Sequence, residues 1–138
     1  MPGKGLVIRG QRGHPEVRAA LIRYAKWFRK THEFPMKVPV YLYPSETIKM
    51  QNGEWVSASF FGPFDKNVSP YIRIATGDYP ELKKERGRDS ALAAFIVSLS
   101  HEIVHYYQWI NHGVISERGV TQKANAMLRR YNLEVDHP

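Results

Sequence analysis

Two histidines four residues apart, His101 and His105, have the spacing of metal ligands on one helix. Residues four apart lie one turn apart on the same helix face, so both imidazoles can bind one ion. Glu102 follows the first histidine, where its carboxylate can reach a water on the metal without binding the ion itself. Zinc lowers the pKa of such a water towards about 7. The spacing therefore predicts a zinc site at which Glu102 activates water to attack a carbonyl group.

A third protein ligand would complete a zinc site that keeps one position open for water. The chain has no cysteine, so this ligand must be a histidine or a carboxylate. Glu117 is the preferred candidate, because a final helix beginning near it can present a carboxylate to the two histidines. The same residue could instead favour that helix N-terminus through the macrodipole. His112 is the alternative, but it lies about 10 Å along the helix axis from His105. The choice stays open between Glu117, His112 and water.

A long helix must carry the two histidines, and the pattern predicts it from Asp89, as N-cap, to about Asn111, with Gly113 as the stop. Apolar residues recur three or four apart along one side of it. These residues are Ile96, Leu99, Ile103, Tyr106 and Ile110. We expect that side to face the core, and the opposite side, with Ala94, Ser98 and both histidines, to line a cleft.

The remaining elements are predicted from changes of hydrophobic period and from turn residues. They are a helix from Pro15 to about Glu33, strands at Val38–Tyr43, Trp55–Phe61 and Tyr71–Thr76, a hairpin that pairs Glu46–Met50 with Trp55–Phe61 through Asn52-Gly53, and a last helix from a Ser116 cap to about Asn132. The order of N-terminal helix, three- to four-stranded sheet, long helix and C-terminal helix predicts an α+β fold.

Domain organisation is expected to be simple. Residues 1–14 are rich in Gly, Arg and Lys and are predicted to be a flexible N-terminal segment. Residues 15–138 are predicted to form a single domain.

Composition sets limits on partners and location. Twenty Lys and Arg against thirteen Asp and Glu give a formal charge of +7, which favours acidic partners or nucleic acid. The basic residues are spread along the chain without a known nucleic-acid motif, so nucleic acid is the less favoured partner. The longest uncharged apolar stretch, Ser90 to Ser100, is too short to span a bilayer, and no secretory signal precedes it. We therefore expect a cytoplasmic protein without a membrane partner.

The segment from Ser98 to Asn111, together with Gly119, Ala124 and Tyr131, resembles a group of small bacterial and phage proteins. These proteins are minimal gluzincin-like metallopeptidases. The resemblance covers about the last third of the chain, and its H-E-x-x-H-Y-Y-Q-W core is more specific than the zinc pattern alone. It implies a zincin-like domain with a zinc cofactor and a peptide or protein substrate.

The chain departs from this family at one position. The relatives carry Glu, as third ligand, two residues after the Gly of the final helix, and here that position is Thr121. Glu117 lies one predicted helical turn earlier on the same face and could take its place. If it does not, two histidines and water would hold the ion weakly.

Together these features predict a zinc-dependent metallopeptidase that hydrolyses peptide bonds through a zinc-bound water activated by Glu102. Tyr71–Thr76 is the candidate edge strand to hold an extended substrate. Two other interpretations remain: a zinc-binding interaction module with weak or no catalysis, and a basic nucleic-acid-binding protein.

Overall fold

A computed structural model describes residues 5–9 and 12–135 of the chain. Its helices and strands follow one another in the order β1 (Gly5–Arg9), α1 (Pro15–Thr31), β2 (Lys37–Tyr43), β3 (Ile48–Lys49), β4 (Trp55–Val56), β5 (Ala58–Phe61), β6 (Tyr71–Ala75), α2 (Tyr79–Arg86), α3 (Arg88–His112) and α4 (Val120–Glu134). The mixture confirms the α+β class predicted from the sequence.

The main sheet has four strands in the order β1-β2-β6-β5. The first three are parallel, and α1 forms the crossover between β1 and β2. Strand β5 is antiparallel to β6 and lies at the edge. The prediction that Tyr71–Thr76 forms the edge strand is therefore wrong, because β6 is paired on both sides and its Ile72 and Ile74 are fully buried.

The core lies between one face of this sheet and helices α1 and α3. Side chains alternate along each strand, and the inward set is apolar. It comprises Leu6, Val38, Val40, Leu42, Ile72 and Ile74. Helix α1 packs beneath β1, whereas α3 packs beneath β5 and β6. The long helix is thus fixed against the antiparallel edge of the sheet.

The N-terminal segment contains a strand that the sequence analysis missed. Residues Gly5–Arg9 pair in parallel with Lys37–Tyr41, and Leu6 is fully buried. The prediction that residues 1–14 are flexible is wrong for these five residues, because pairing with a distant strand outweighs the local Gly and Arg content. Residues 1–4, 10 and 11, to which the same prediction applied, lie outside the described part of the chain.

The long helix α3 ends as predicted but begins earlier. Gly113 adopts a left-handed conformation, and its N–H caps the last turn. At the other end the N-cap is Gly87 rather than Asp89. Gly87 has a φ of +84°, which favours glycine, and it separates α3 from α2, a short helix that the sequence analysis did not predict.

The hairpin prediction is confirmed in shortened form. Strands β3 and β4 pair antiparallel over two residues each, and Gly53 turns between them with a φ of +91°. The chain then crosses into the main sheet, so the predicted strand Trp55–Phe61 is divided between β4 and β5.

The last helix begins later than predicted, at Val120 with Gly119 as N-cap. Ser116 does not cap it, since its hydroxyl accepts a hydrogen bond from the Arg118 N–H inside the preceding loop. Glu117 therefore lies in a loop and not on a helix antiparallel to α3.

None of the helices within residues 5–9 and 12–135 combines the length and the apolar character needed to cross a membrane.

Candidate metal centre

His101 and His105, in the second half of α3, converge with Glu117 of the loop that follows the helix. The Nε2 atom of His101 lies 2.9 Å from one carboxylate oxygen of Glu117, and the Nε2 atom of His105 lies 2.9 Å from the other. One possible ligand atom from each residue falls within 4.8 Å of the others. The structure thus brings together the three residues that the sequence analysis selected as metal ligands.

The two histidines lie on one side of α3 and differ in how far solvent reaches them. Their rings are 5.0 Å apart, as expected for residues one helical turn apart. The side chain of His105 is 6% exposed, whereas that of His101 is 28% exposed. The site is therefore open to solvent on the His101 side and closed on the His105 side.

Glu117 reaches the histidines because Gln108 holds its loop against α3. The Gln108 amide nitrogen donates to the Ser116 carbonyl at 2.9 Å, and its oxygen accepts from the Ser116 N–H at 3.1 Å. Two hydrogen bonds from one side chain thus fix the residue that precedes Glu117. No role was predicted for Gln108 from the sequence, although its position about one helical turn after His105 was a usable signal.

The same Gln108 oxygen also lies 3.0 Å from Nδ1 of His105. The Ser116 N–H can only donate, so the amide oxygen must be the atom that faces both partners. Nδ1 of His105 must then carry a proton and donate it to this oxygen. Nε2, the atom that faces Glu117, is consequently the ring nitrogen that remains to bind a metal ion.

Gln108→Ala is expected to lower zinc affinity by about 10- to 100-fold, the usual cost of removing a partner that orients a metal ligand. Titration against a competing chelator measures it. Gln122→Ala, on the exposed surface of α4, is the matched control and should bind zinc as the unmodified protein does. Equal affinity in both variants would show that Gln108 positions neither His105 nor the loop.

Glu102 is the buried acid of the site, with 7% of its surface exposed. Burial, reinforced by the charge of Glu117, raises the pKa of Glu102 to about 8. Its carboxyl group is thus close enough to Glu117 to sense its charge but is not part of the three-residue cluster.

The other candidate ligands do not join the cluster. Within the described part of the chain, His101, His105 and Glu117 form the sole group of this kind. His112 is exposed at the end of α3 and contributes to the wall of a separate cavity. Thr121 lies on the exposed side of α4. Of the three alternatives left open for the third ligand, the geometry favours Glu117.

Two imidazoles and one carboxylate are a suitable donor set for zinc, which also accepts a water as fourth ligand. At usual bond lengths, tetrahedral ligand atoms lie about 3.3 Å apart. The two contacts to Glu117 measure 2.9 Å. The three ligand atoms all lie within 4.8 Å of one another, so binding one ion requires their separations to change by at most about 1.5 Å.

No family model, curated protein or solved structure matches this chain. The kinship with gluzincin-like proteins consequently stays a prediction that depends on the motif residues.

A cleft of about 220 Å³ lies one turn before the histidines along α3. Ala94 and Ser98 form part of its wall as predicted, whereas His101 and His105, which were predicted to line the same cleft, do not. Ser57, just before β5, and Asp78 and Arg86, at the two ends of α2, contribute to the opposite side.

Proposed function

We propose that this protein is a zinc-dependent metallopeptidase in which His101, His105 and Glu117 hold the ion and Glu102 is the general base. The proposal is supported by one observation above all. His101 and His105 of α3 and Glu117 of the following loop bring one possible ligand atom each within 4.8 Å of the others, and Glu102, which follows His101 in sequence, is buried. Three such groups on two different elements are the donor set of a catalytic zinc site with one open position.

Glu102 performs the proton transfers of the proposed reaction. Zinc, when bound, supplies Lewis acidity to a carbonyl oxygen and makes water a better acid. One Glu102 oxygen takes a proton from the attacking water and later delivers it to the leaving amine. Gln108 holds His105 in the tautomer that leaves Nε2 free, and it is a positioning residue.

The proposed zincin-like arrangement places an extended substrate along β5. This strand pairs with β6 on one side, and within the described residues no strand pairs with its other edge. Its Phe60 side chain contacts Tyr106 and Trp109 of α3, so the strand is fixed to the metal-bearing helix. Main-chain pairing with β5 would hold a peptide in extended form above this helix.

Metal removal tests the proposal. Incubation with 1,10-phenanthroline is expected to abolish cleavage of a mixed peptide library, as followed by mass spectrometry. One equivalent of zinc should restore cleavage, whereas magnesium or calcium should not, because the donor set is nitrogen-rich. Cleavage that persists in the chelated protein would contradict the proposal.

A zinc-binding module without catalysis is the second candidate. The side chain of Glu117 is 74% exposed, and a solvated carboxylate in a loop favours an ion held less firmly than in a closed site. This candidate predicts zinc binding and no cleaved peptide in the same library experiment.

A further inference from the structure

The face of the main sheet opposite α1 and α3 carries an aromatic surface. Tyr41 of β2, Tyr71 of β6 and Phe61 of β5 follow one another across three neighbouring strands. The Phe61 and Tyr71 rings stack at 5.0 Å between centroids, and the Tyr71 and Tyr41 rings meet edge to face at 5.9 Å. We call these three residues the aromatic row.

The aromatic row is accessible rather than part of the core. Tyr41 is 37% exposed, Phe61 is 44% exposed and Tyr71 is half-buried. The neighbouring residues in these strands, Val40, Phe60 and Ile72, point to the other face and belong to the core or pack against it. Rings of this size that remain partly exposed on one sheet face form a platform on which flat groups can stack.

Cationic side chains flank the aromatic row. Arg9 and Arg73 are both aligned with Tyr41 in the strand register, and Lys37 begins the same strand as Tyr41. The four strands of the main sheet contain no Asp or Glu. This face therefore combines exposed rings with positive charge that no carboxylate of the sheet itself offsets.

The β3–β4 hairpin extends the same kind of surface beyond the sheet. Trp55 is 63% exposed, and the Lys49 ammonium lies 5.8 Å from its ring centroid. The hairpin is tied to the sheet where an Arg73 nitrogen contacts the Met50 sulfur at 3.8 Å. The hairpin thus adds a further exposed ring that has a cation beside it.

We propose that this sheet face binds single-stranded nucleic acid, with bases stacked on Tyr41, Tyr71 and Phe61 and phosphates paired with Lys37, Arg9 and Arg73. Unpaired bases present flat faces that stack on aromatic rings irrespective of sequence, and the backbone supplies the complementary negative charge. The surface lies across the sheet from α3, so this binding is separate from the metal centre.

Fluorescence anisotropy with a labelled twelve-nucleotide oligothymidine tests the proposal on the full chain. We expect binding that weakens roughly twentyfold between 50 and 200 mM salt, if three cations pair with phosphates. Tyr41→Ala, Phe61→Ala and Tyr71→Ala should each weaken it by about 5- to 150-fold, the cost of losing one stacked base. Tyr41→Phe keeps the ring and should retain full affinity.

Matched controls distinguish binding at this surface from nonspecific attraction of the oligonucleotide to the basic protein. Leu133→Ala removes an exposed apolar side chain from α4 and should change nothing. Lys37→Ala should weaken binding, whereas Lys123→Ala, an equal loss of charge on α4, should not. Circular dichroism shows whether each variant is folded. If Phe61→Ala or Tyr71→Ala unfolds, the comparison of oligonucleotide affinity between Tyr41→Ala and Tyr41→Phe still tests the proposal.

Three results would overturn the proposal: no oligonucleotide binding at 50 mM salt, equal binding by Tyr41→Ala and Tyr41→Phe, or equal losses in Lys37→Ala and Lys123→Ala. His101→Ala should bind the oligonucleotide as the unmodified protein does. Failure of the proposed peptidase activity would thus leave this result unchanged, and the two proposals can be distinguished.

Discussion

Glu102→Gln is expected to lower the rate of peptide cleavage by about 10²- to 10⁴-fold, the usual contribution of a general base, while zinc remains bound. Glutamine has nearly the same shape as glutamate and can fill the same buried position, where 7% of the Glu102 surface is exposed. It cannot take a proton from water or deliver one to the leaving amine. Cleavage rate and zinc content are measured on the same preparation, so that lost chemistry is not confused with lost metal.

The matched control for Glu102→Gln is Glu85→Gln, the same chemical change on the exposed surface of α2. It should cleave peptides at the unmodified rate. Undiminished cleavage by Glu102→Gln with zinc bound would remove Glu102 from the mechanism and would require another base.

Glu117→Ala is expected to lower zinc affinity by more than about a hundredfold. Replacing a group that merely orients a ligand already costs about 10- to 100-fold, and Glu117 supplies a ligand atom itself. Its carboxylate faces both His101 and His105 at 2.9 Å, so its removal leaves two imidazoles without the third protein donor. Competition with a chelator of known affinity measures the change.

Thr121→Ala is the control that distinguishes this chain from the family pattern. The resemblance places the third ligand at position 121, whereas the structure brings Glu117 to the histidines. Thr121→Ala should therefore bind zinc unchanged. A greater loss of affinity for Thr121→Ala than for Glu117→Ala would mean that the loop before α4 rearranges when the metal binds.

The parts of the fold that depend on local spacing could be predicted from sequence. The apolar repeat along α3 identified its core side, where Ile96, Leu99, Ile103 and Tyr106 are buried. Pro15 and Gly113 correctly predicted the start of α1 and the end of α3, because each restricts or permits a particular backbone conformation.

Features that depend on distant partners could not be predicted in the same way. Strand β1 is formed by pairing with β2, and nothing within Gly5–Arg9 identifies that partner. Within the described residues β5 lies at an edge of the sheet and β6 does not, because of the strand order, which local patterns do not determine.

Glu117 was correctly predicted to lie beside His101 and His105, but it was predicted to lie on a helix, which is wrong. A helix beginning at Ser116 was predicted, whereas the carboxylate is presented from a loop. The loop is held by the hydrogen bonds between Gln108 and the Ser116 main chain, eight residues away. Helix-capping preferences of single residues cannot predict these hydrogen bonds, because the bonds exist only after the loop has folded back on α3.

Anomalous diffraction at the zinc absorption edge, from crystals of protein supplied with one equivalent of zinc, tests the central claim most directly. We expect one peak, with Nε2 of His101, Nε2 of His105 and a Glu117 oxygen each at about 2.0–2.2 Å from it. A peak elsewhere on the molecule, or no peak while Glu117 remains hydrogen-bonded to the two histidines, would contradict the assignment of these residues as a metal centre.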